Sequence, residues 1–326
     1  QSNVESKIGK RVTIGARLSG QINNTNSPAA PGDVMWNPLY GLYRNYPTWS
    51  AYANDNKKYV NHTGWDESQE ALFTKDIIGY YEQINRSFTS TLYASYETPV
   101  KGLTARFQYT FGLNQGNLDR FQYTYNTYTY DPATDLYNIT GGLTSGSHAK
   151  TSTLNIDKAY QGQLNYSGTF GPHSITATYV FEARDSETPS NISIASKSSS
   201  NYLELIQYAE VNGFTNTWNA SSMLGHVGRI NYNYKLKYLV EVSGRYDASY
   251  KFPPAQRWGL FPSTALGWRI SEEPFYKSSA LSSILDNLKI RTSYGMMGND
   301  SPGNYDAYDY LDGYNYNSGS HVFNGA

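Results

Sequence analysis

The feature that most constrains this chain is a regular alternation of apolar and polar side chains within residues 229–275. In the middle segment, one set of alternate residues carries no charge and the other carries every charge. The first set is Tyr238, Val240, Val242, Gly244, Tyr246 and Ala248; the second is Leu239, Glu241, Ser243, Arg245, Asp247 and Ser249. A period of two indicates an extended strand whose faces meet different surroundings. The segment is about twice the ~5–6 residues of a usual globular strand, and it matches the ~9–11 residues that a tilted strand needs to cross a bilayer.

Composition is compatible with a membrane wall made of strands. Charged residues make up 16% of the 326-residue chain, against ~25% in soluble domains. Tyrosine is unusually frequent, with 32 copies, and its ring suits boundaries between apolar and wet surroundings. The sequence contains no run of 18 or more apolar residues, so it predicts no membrane helix. The net charge of -1 gives no reason to expect a nucleic-acid partner.

The same alternation recurs along the chain and predicts about nine long strands. They lie near residues 11–23, 88–96, 103–113, 160–166, 175–181, 226–234, 238–249, 258–270 and 288–296. Short turns at TPVKG, TFGPH and KLK connect some of them, and long polar loops are expected over 24–85, 114–158 and 185–223. The run DRFQYTYNTYTY also alternates, so we expect strands that extend beyond the membrane there. Short turns on one side and long loops on the other are typical of outer-membrane barrels.

The charges agree with this arrangement, because they fall on the polar face of the predicted strands. The residues concerned are Arg17, Arg106, Arg184, Arg245, Asp247, Arg269 and Arg291. The predicted fold is therefore all-β, a portion of a transmembrane antiparallel β-barrel with about nine strands of a larger plugged barrel. Nine antiparallel strands cannot close, and open edges in hydrocarbon are costly. A soluble β-sandwich would also alternate, but strand length and one-sided loops favour the membrane barrel.

Four segments carry a family resemblance: RINYNYKLKYLVEVSGRYDASYKF, RWGLFPSTALGWRISEEPF, LKIRTSYGMMGND and FGPHSITATYVFE. They resemble barrel segments of the SusC/RagA family, which are TonB-dependent outer-membrane transporters of Bacteroidota-type bacteria. The match is specific over about residues 162–300 and weaker before them.

The resemblance implies a barrel of about 22 strands closed by an internal plug. It also implies a SusD-like surface lipoprotein as a lid, energy supplied by TonB with ExbB and ExbD, and import of oligosaccharides or peptides across the outer membrane. We expect residues 1–326 to be part of the barrel domain, with the plug, the TonB-contacting segment and the final strands outside this chain.

Two groups of residues are candidates for binding. Loop aromatics can stack on sugar rings, and ligand sites concentrate on loops held by a rigid scaffold; loop packing or lid contact is the simpler alternative. These aromatics are Trp36, Tyr40, Tyr43, Tyr46, Trp49 and Trp65. Polar residues expected to face the barrel lumen would contact the plug or line the substrate path. They are Arg106, Glu182, Arg184, Arg229, Glu241, Arg245 and Asp247.

Nothing in the sequence predicts an enzyme, a cofactor or a metal site. The histidines His62, His148, His173, His226 and His321 are scattered without ligand spacing. The acidic residues Asp300, Asp306, Asp309 and Asp312 miss the spacing of a calcium loop. Two alternatives to active import remain open: a soluble or surface-displayed β-rich carbohydrate-binding module, and a passive porin.

Overall fold

The chain folds mainly as long strands. A computed structural model describes residues 1–29, 46, 48–63, 74–198, 200–202, 204–206 and 209–300. The strands are β1 (Ser2–Ile8), β2 (Val12–Pro28), β3 (Gly79–Glu97), β4 (Leu103–Gln122), β5 (Tyr125–Asp131), β6 (Leu136–Leu143), β7 (Gly146–Phe170), β8 (His173–Ser198), β9 (Glu210–Tyr234), β10 (Tyr238–Ser249), β11 (Trp258–Arg269) and β12 (Lys289–Gly295). The short helices are α1 (Lys75–Ile78) and α2 (Pro274–Lys277), with 3-10 turns at Ala53–Asp55, Pro254–Gln256, Ile270–Glu272 and Ala280–Ser283.

Within these described ranges, ten strands form one antiparallel sheet in the order β1-β2-β3-β4-β7-β8-β9-β10-β11-β12. Strands β5 and β6 form a separate hairpin, so β4 pairs directly with β7 along its whole length, from Leu103 to Gln122. The predicted antiparallel wall is confirmed, with one strand more than expected. The additional strand is β1, whose only large apolar residues are Val4 and Ile8, too few to produce a visible alternation.

The connections differ between the two edges of the sheet. Short turns join β1 to β2, β3 to β4, β7 to β8 and β9 to β10 at one edge, which we call the lower edge. Gly9, Gly102 and Gly171 occupy these turns with φ of 63°, 83° and 57°, a region where a side chain would be strained. The long connections, residues 29–78 and 123–145, join strand ends at the upper edge. Most connections thus follow the one-sided arrangement that the sequence predicts, and the exception is residues 270–288, a long connection at the lower edge.

The register gives the sheet two chemically different faces. On the apolar face, one row aligns residues of six successive strands, none of them charged. That row is Leu92, Tyr109, Tyr160, Ala183, Leu224 and Ala248. Leu92 is 51% exposed and Val242 53%, which would be unfavourable in water and is favourable in hydrocarbon.

The height of the apolar face fits a bilayer. Ten residue steps separate Tyr238 from Ala248, and at ~3.3 Å a step and a ~40° tilt they span ~25 Å. At the lower edge this face ends in a row of aromatic rings that we call the lower girdle. Its members are Tyr96, Tyr166, Tyr234, Tyr238 and Trp268.

Several strands continue far above this band, where loops were expected. β8 runs to Ser198 and β9 starts at Glu210, although residues 185–223 were predicted as a loop. These upper segments are rich in Ser, Thr and Asn, and cross-strand hydrogen bonds such as Thr151–Ser193 and Thr153–Asn191 join them in addition to the backbone ladder. No clear apolar alternation therefore marks them in the sequence. The Ser- and Asn-rich composition therefore gave a wrong prediction at this place.

A small apolar core lies above the upper edge. Val60 and Ile78 are buried there, packed by Tyr52, Ile77 and Tyr125. This core attaches part of the first long loop to the β5–β6 hairpin. No helix in the described part of the chain is long and apolar enough to span a membrane.

Candidate functional site

The polar face of the sheet carries the predicted charged residues together. The strand registers place all seven of the predicted lumen-facing residues on this one face, opposite the apolar band. These residues are Arg106, Glu182, Arg184, Arg229, Glu241, Arg245 and Asp247. That this face lines the lumen stays a prediction, but the separation of charge from apolar surface is a property of the sheet.

Four of these residues form what we call the charged patch: Glu182, Arg184, Arg245 and Asp247. Side chains two residues apart on a strand share a face, which brings each Arg to a carboxylate on its own strand. Arg245 donates from Nε to Asp247 Oδ2 over 2.9 Å and from Nη2 to Oδ1 over 3.2 Å. Arg184 pairs with Glu182, with its Nε and Nη2 both directed at Oε1. The patch is therefore locally neutral and rich in directed hydrogen-bond donors and acceptors.

Gly225 makes room for the charged patch. It lies on β9 between Glu182 of β8 and Asp247 of β10. A Cβ added at Gly225 would approach Asp247 Oδ1 to 2.6 Å. The absence of a side chain on the middle strand therefore allows the carboxylate of Asp247 to lie over it, with Arg245 Nη2 3.6 Å from the same position.

The remaining predicted residues lie outside the charged patch. Arg229 Nε and Glu241 Oε1 are 4.0 Å apart across β9 and β10, nearer the lower edge. Arg106 is four strands away from Arg245 in the same row, and its Nη2 donates to Gln108 over 3.3 Å. The polar face thus carries several separate polar groups.

Arg106 belongs to a cluster that the sequence did not predict, built around Tyr93. The Tyr93 ring is almost completely buried, with the guanidinium carbons of Arg106 and Arg17 at 4.3 and 5.3 Å from its centroid. Its hydroxyl donates to Glu5 on β1, and its ring lies against Gly15. The sequence does contain a signal for this cluster, because Tyr93 is an aromatic residue among the polar-face members of β3.

Two of the predicted loop aromatics, Tyr46 and Trp49, fall within the described part of the chain. Trp36, Tyr40, Tyr43 and Trp65 lie outside the described residues. Trp49 packs its ring edge-on against Tyr46, with centroids 4.9 Å apart. Sugar binding by this group stays a prediction.

A different aromatic cluster occurs where the first loop meets the β5–β6 hairpin. The rings of Tyr59 and Tyr137 stack with centroids 4.0 Å apart. Tyr128 contacts Tyr59 edge-on at 5.0 Å, and Tyr130 lies 5.1 Å from Tyr137. The Tyr128 N–H donates to the Val60 carbonyl over 2.7 Å, so backbone and rings together hold the loop on the hairpin.

The tip of the hairpin is fixed by its own polar groups. The carboxylate of Asp131 accepts from the Ala133 N–H and the Thr134 hydroxyl, and these bonds lower its pKa. The Tyr130 hydroxyl donates to Asp135 over 2.9 Å, which raises the pKa of that hydroxyl. The upper edge therefore presents an ordered surface.

The histidines in the described part of the chain make local side-chain contacts, and His321 lies outside it. His148 is buried, and its Nε2 lies 2.7 Å from Asp119, which also pairs with Lys150 at 2.8 Å. His173 lies 2.7 Å from the Tyr232 hydroxyl. No group of three or more metal-ligating side chains occurs among the residues that the structure describes; the predicted acidic cluster lies outside them except for Asp300, which accepts from the Ser249 hydroxyl.

Comparison with known proteins identifies similar sequences among bacterial receptors. A TonB-dependent receptor P39 of Formosa agariphila is 31% identical over 242 residues, covering 72% of this chain and 22% of the relative. TonB-dependent receptor P3 of the same species is 26% identical over 94% of this chain and 29% of its own length. TonB-dependent receptor SusC of Bacteroides thetaiotaomicron is 39% identical over 88 residues, 27% of this chain and 8% of the relative. The chain spans less than a third of these relatives, and no protein-family model matches it.

Solved structures with the same fold include the RagAB peptide transporter. It superposes with a TM-score of 0.68 at 20% identity over 93% of this chain and 33% of that chain. The "closed-closed" state of the RagAB peptide importer gives a TM-score of 0.69 at 21% identity over the same share of each. The ten-stranded sheet is thus the kind of wall found in such receptors.

Proposed function

Because this chain is a barrel segment of the SusC/RagA type of TonB-dependent receptor, we propose that the protein imports nutrients across the bacterial outer membrane. The substrates would be oligosaccharides or peptides, captured under a SusD-like lipoprotein lid and moved with energy delivered through TonB, ExbB and ExbD. Support comes from the relatives, which are named TonB-dependent receptors, and from the neighbour RagAB, which is named a peptide transporter.

The observation that carries the proposal is the division of the sheet into a charged face and an apolar face of bilayer height. Val242 and its row neighbours on the apolar face would meet lipid, and Arg245 and Asp247 would meet an aqueous interior. An Arg on the lipid face near mid-bilayer would cost ~2–4 kcal/mol. A soluble sheet of this width would instead need a second layer over its apolar face.

We further propose that residues 1–326 all belong to the barrel domain of a longer receptor. In that receptor the charged patch would contact the plug or line the substrate path. Because the charges of the patch are already paired with one another, a plug or substrate would bind to it weakly and could leave again. Exposed ion pairs contribute only ~0–1 kcal/mol each. The four side chains of the charged patch include no nucleophile arranged with a base. The relatives of this chain are named receptors, which gives no support for an enzyme.

The first experiment asks whether the complete protein is a membrane barrel. Folded barrels resist SDS until heated, so the full-length receptor in detergent is expected to migrate faster unheated than boiled. Recovery of the unheated protein in the aqueous fraction without detergent would instead favour the soluble carbohydrate-binding module.

The second experiment tests import. A strain that lacks the whole gene is complemented with the wild type or with the double variant Arg245→Gln, Asp247→Asn. Growth of each strain is then measured on defined oligosaccharides and peptides. Ser243→Ala, on the same strand and face, is the matched control. We expect deletion to abolish growth on at least one substrate, the double variant to reduce uptake at equal surface amounts, and the control to behave as wild type. Uptake that survives TonB depletion would point to a passive porin.

A further inference from the structure

The β11–β12 connection, residues 270–288, is folded onto the outside of the wall. We call it the foot. It contains α2 and two 3-10 turns, and it stands at the lower edge, beside the short turns. Its position is fixed by Glu273, which is nearly buried and accepts from Lys237 Nζ over 2.9 Å and from Trp268 Nε1 over 3.2 Å.

These contacts decide which face of the sheet the foot covers. Trp268 and Tyr238 are cross-strand partners on the apolar face, and the Tyr238 hydroxyl also hydrogen-bonds Glu273. The ring of Phe275 lies 6.4 Å from that of Trp268. The foot is therefore continuous with the lower girdle of the surface that would meet lipid.

The foot nevertheless exposes large apolar side chains. Phe275 is 60% exposed and Ile284 77%, and Leu281 and Leu285 are exposed as well. Four large apolar residues within eleven positions are more than scattered surface residues would give.

Its polar groups are turned inward upon the segment itself. Four of its five serine hydroxyls donate to backbone carbonyls of the same segment: Ser278 to Phe275, Ser279 to Tyr276, Ser282 to Ser279 and Ser283 to Ala280. The buried hydroxyl of Ser271 is the exception, with no hydrogen-bond partner among the described residues. The Tyr276 hydroxyl donates to the Leu285 carbonyl over 2.9 Å. Internal satisfaction of this kind lowers the cost of leaving water.

The charges in the first part of the foot, residues 270–277, are also paired. Lys277 Nζ lies 2.8 Å from Glu272 and Arg269 Nη2 lies 3.5 Å from it, while Lys237 neutralises Glu273. Glu272 and Glu273 each have a nearby cation, whereas Asp286, further along the foot, is an exposed carboxylate without an ion pair among the described residues. Phospholipid headgroups would therefore meet repulsion from one foot carboxylate only.

We propose that the foot is a membrane anchor, whose apolar side chains Phe275, Leu281, Ile284 and Leu285 enter the headgroup boundary of the leaflet on the short-turn side. The occupant of this surface is phospholipid. The anchor extends the lipid contact of the wall beyond the end of the strands, as interfacial amphipathic segments do. This inference rests on the proposed membrane-spanning role of the sheet, so the test includes Leu266, which reports on that role separately.

The test measures the depth of single spin labels in the full-length receptor, reconstituted in vesicles of phosphatidylethanolamine and phosphatidylglycerol. The chain contains no cysteine, so one is introduced at a time, after serine replaces any cysteine elsewhere in the receptor. Phe275→Cys and Ile284→Cys report on the foot, and Asn287→Cys is the matched exposed polar position. Leu266→Cys on the apolar face is the lipid standard, and Ala133→Cys at the tip of the β5–β6 hairpin is the aqueous standard.

Oxygen partitions into lipid and a neutral nickel chelate does not, so their accessibility ratio reports depth. We expect this ratio at Phe275 and Ile284 to exceed that at Ala133 clearly and to approach that at Leu266, with Asn287 near the aqueous value. Nickel access equal to Ala133 would overturn the anchor. Protection from both reagents would overturn it too, since protein would then cover the foot. An aqueous value at Leu266 would instead reject the membrane wall itself.

Discussion

Tyr93 shows how a single residue can join separate strands of the wall. Its ring lies between Arg17 of β2 and Arg106 of β4, and its hydroxyl reaches Glu5 of β1. Four successive strands are thus connected by one side chain through cation–π contacts and a charge-assisted hydrogen bond. The arrangement depends on Gly15, whose missing side chain leaves the space that the ring fills.

Substitution of Gly15 by Ala should therefore destabilise the barrel. The new Cβ would lie 2.3 Å from Tyr93 Cζ, so the ring must leave its position and lose both Arg contacts. We expect a loss of ~1–3 kcal/mol in the free energy of unfolding, measured by urea titration of the full-length receptor in vesicles. Gly20→Ala on the same strand is the control, because a Cβ there would lie 4.0 Å from its nearest neighbour, the Ser87 carbonyl oxygen. Equal effects of the two changes would contradict this role for Tyr93.

Glu273 gives a prediction about pH. Its hydrogen bonds from Lys237, then Tyr238 and Trp268, lower the pKa of its carboxyl. The resulting stabilisation is present above the unfolded value near ~4.3 and is lost as the pH falls through the lower folded value. Glu273→Gln should speed amide exchange in the foot at pH 7, and the difference from wild type should disappear in acid. Asp286→Asn, an exposed carboxyl of the same segment, is the control; a difference that persists in acid would argue against the ion pair.

At the scale of the element, β10 offers a direct comparison of the two faces. Val242 lies on the apolar face and Ser243 on the polar face, one residue apart. Val242→Arg should cost ~2–4 kcal/mol in folding into vesicles, and Ser243→Arg close to nothing. Urea titration of each full-length variant measures the difference. A greater cost at Ser243 would mean that the faces are reversed.

The strands could be predicted from the sequence only where the two faces differ. β10 and β11 were recognised because lipid and water select opposite side chains at successive positions. The upper part of β8, with both faces wet, has no such signal and reads as a loop. β1 was missed for a related reason, since Val4 and Ile8 alone do not establish a period.

At the scale of the whole molecule, the sidedness of the connections predicts the orientation in the membrane. Short turns of such barrels face the periplasm and long loops face outward. A membrane-impermeant maleimide should thus label Ala133→Cys on intact cells and should label Lys10→Cys, in the β1–β2 turn, only after the outer membrane is permeabilised. The opposite pattern would invert the topology proposed here.

The candidate site was predicted less completely than the wall. Arg245 and Asp247 could be assigned to one face by counting along a strand. That they lie close to Glu182 could not be predicted, because this depends on the strand register across Gly225. The pairing of Tyr59 with Tyr137 joins residues far apart in the chain, and single-sequence periodicity carries no information on such contacts.

The direct pairing of β4 with β7 has a consequence for how such proteins diversify. The β5–β6 hairpin is inserted between these strands, yet their register continues without a shift from Leu103 to Gln122. Material can therefore be gained, lost or exchanged at the outer rim in a single genetic event while the wall keeps its alignment. A lineage can in this way acquire new recognition surfaces on an inherited frame, and loop regions should diverge between close relatives well before the strands do.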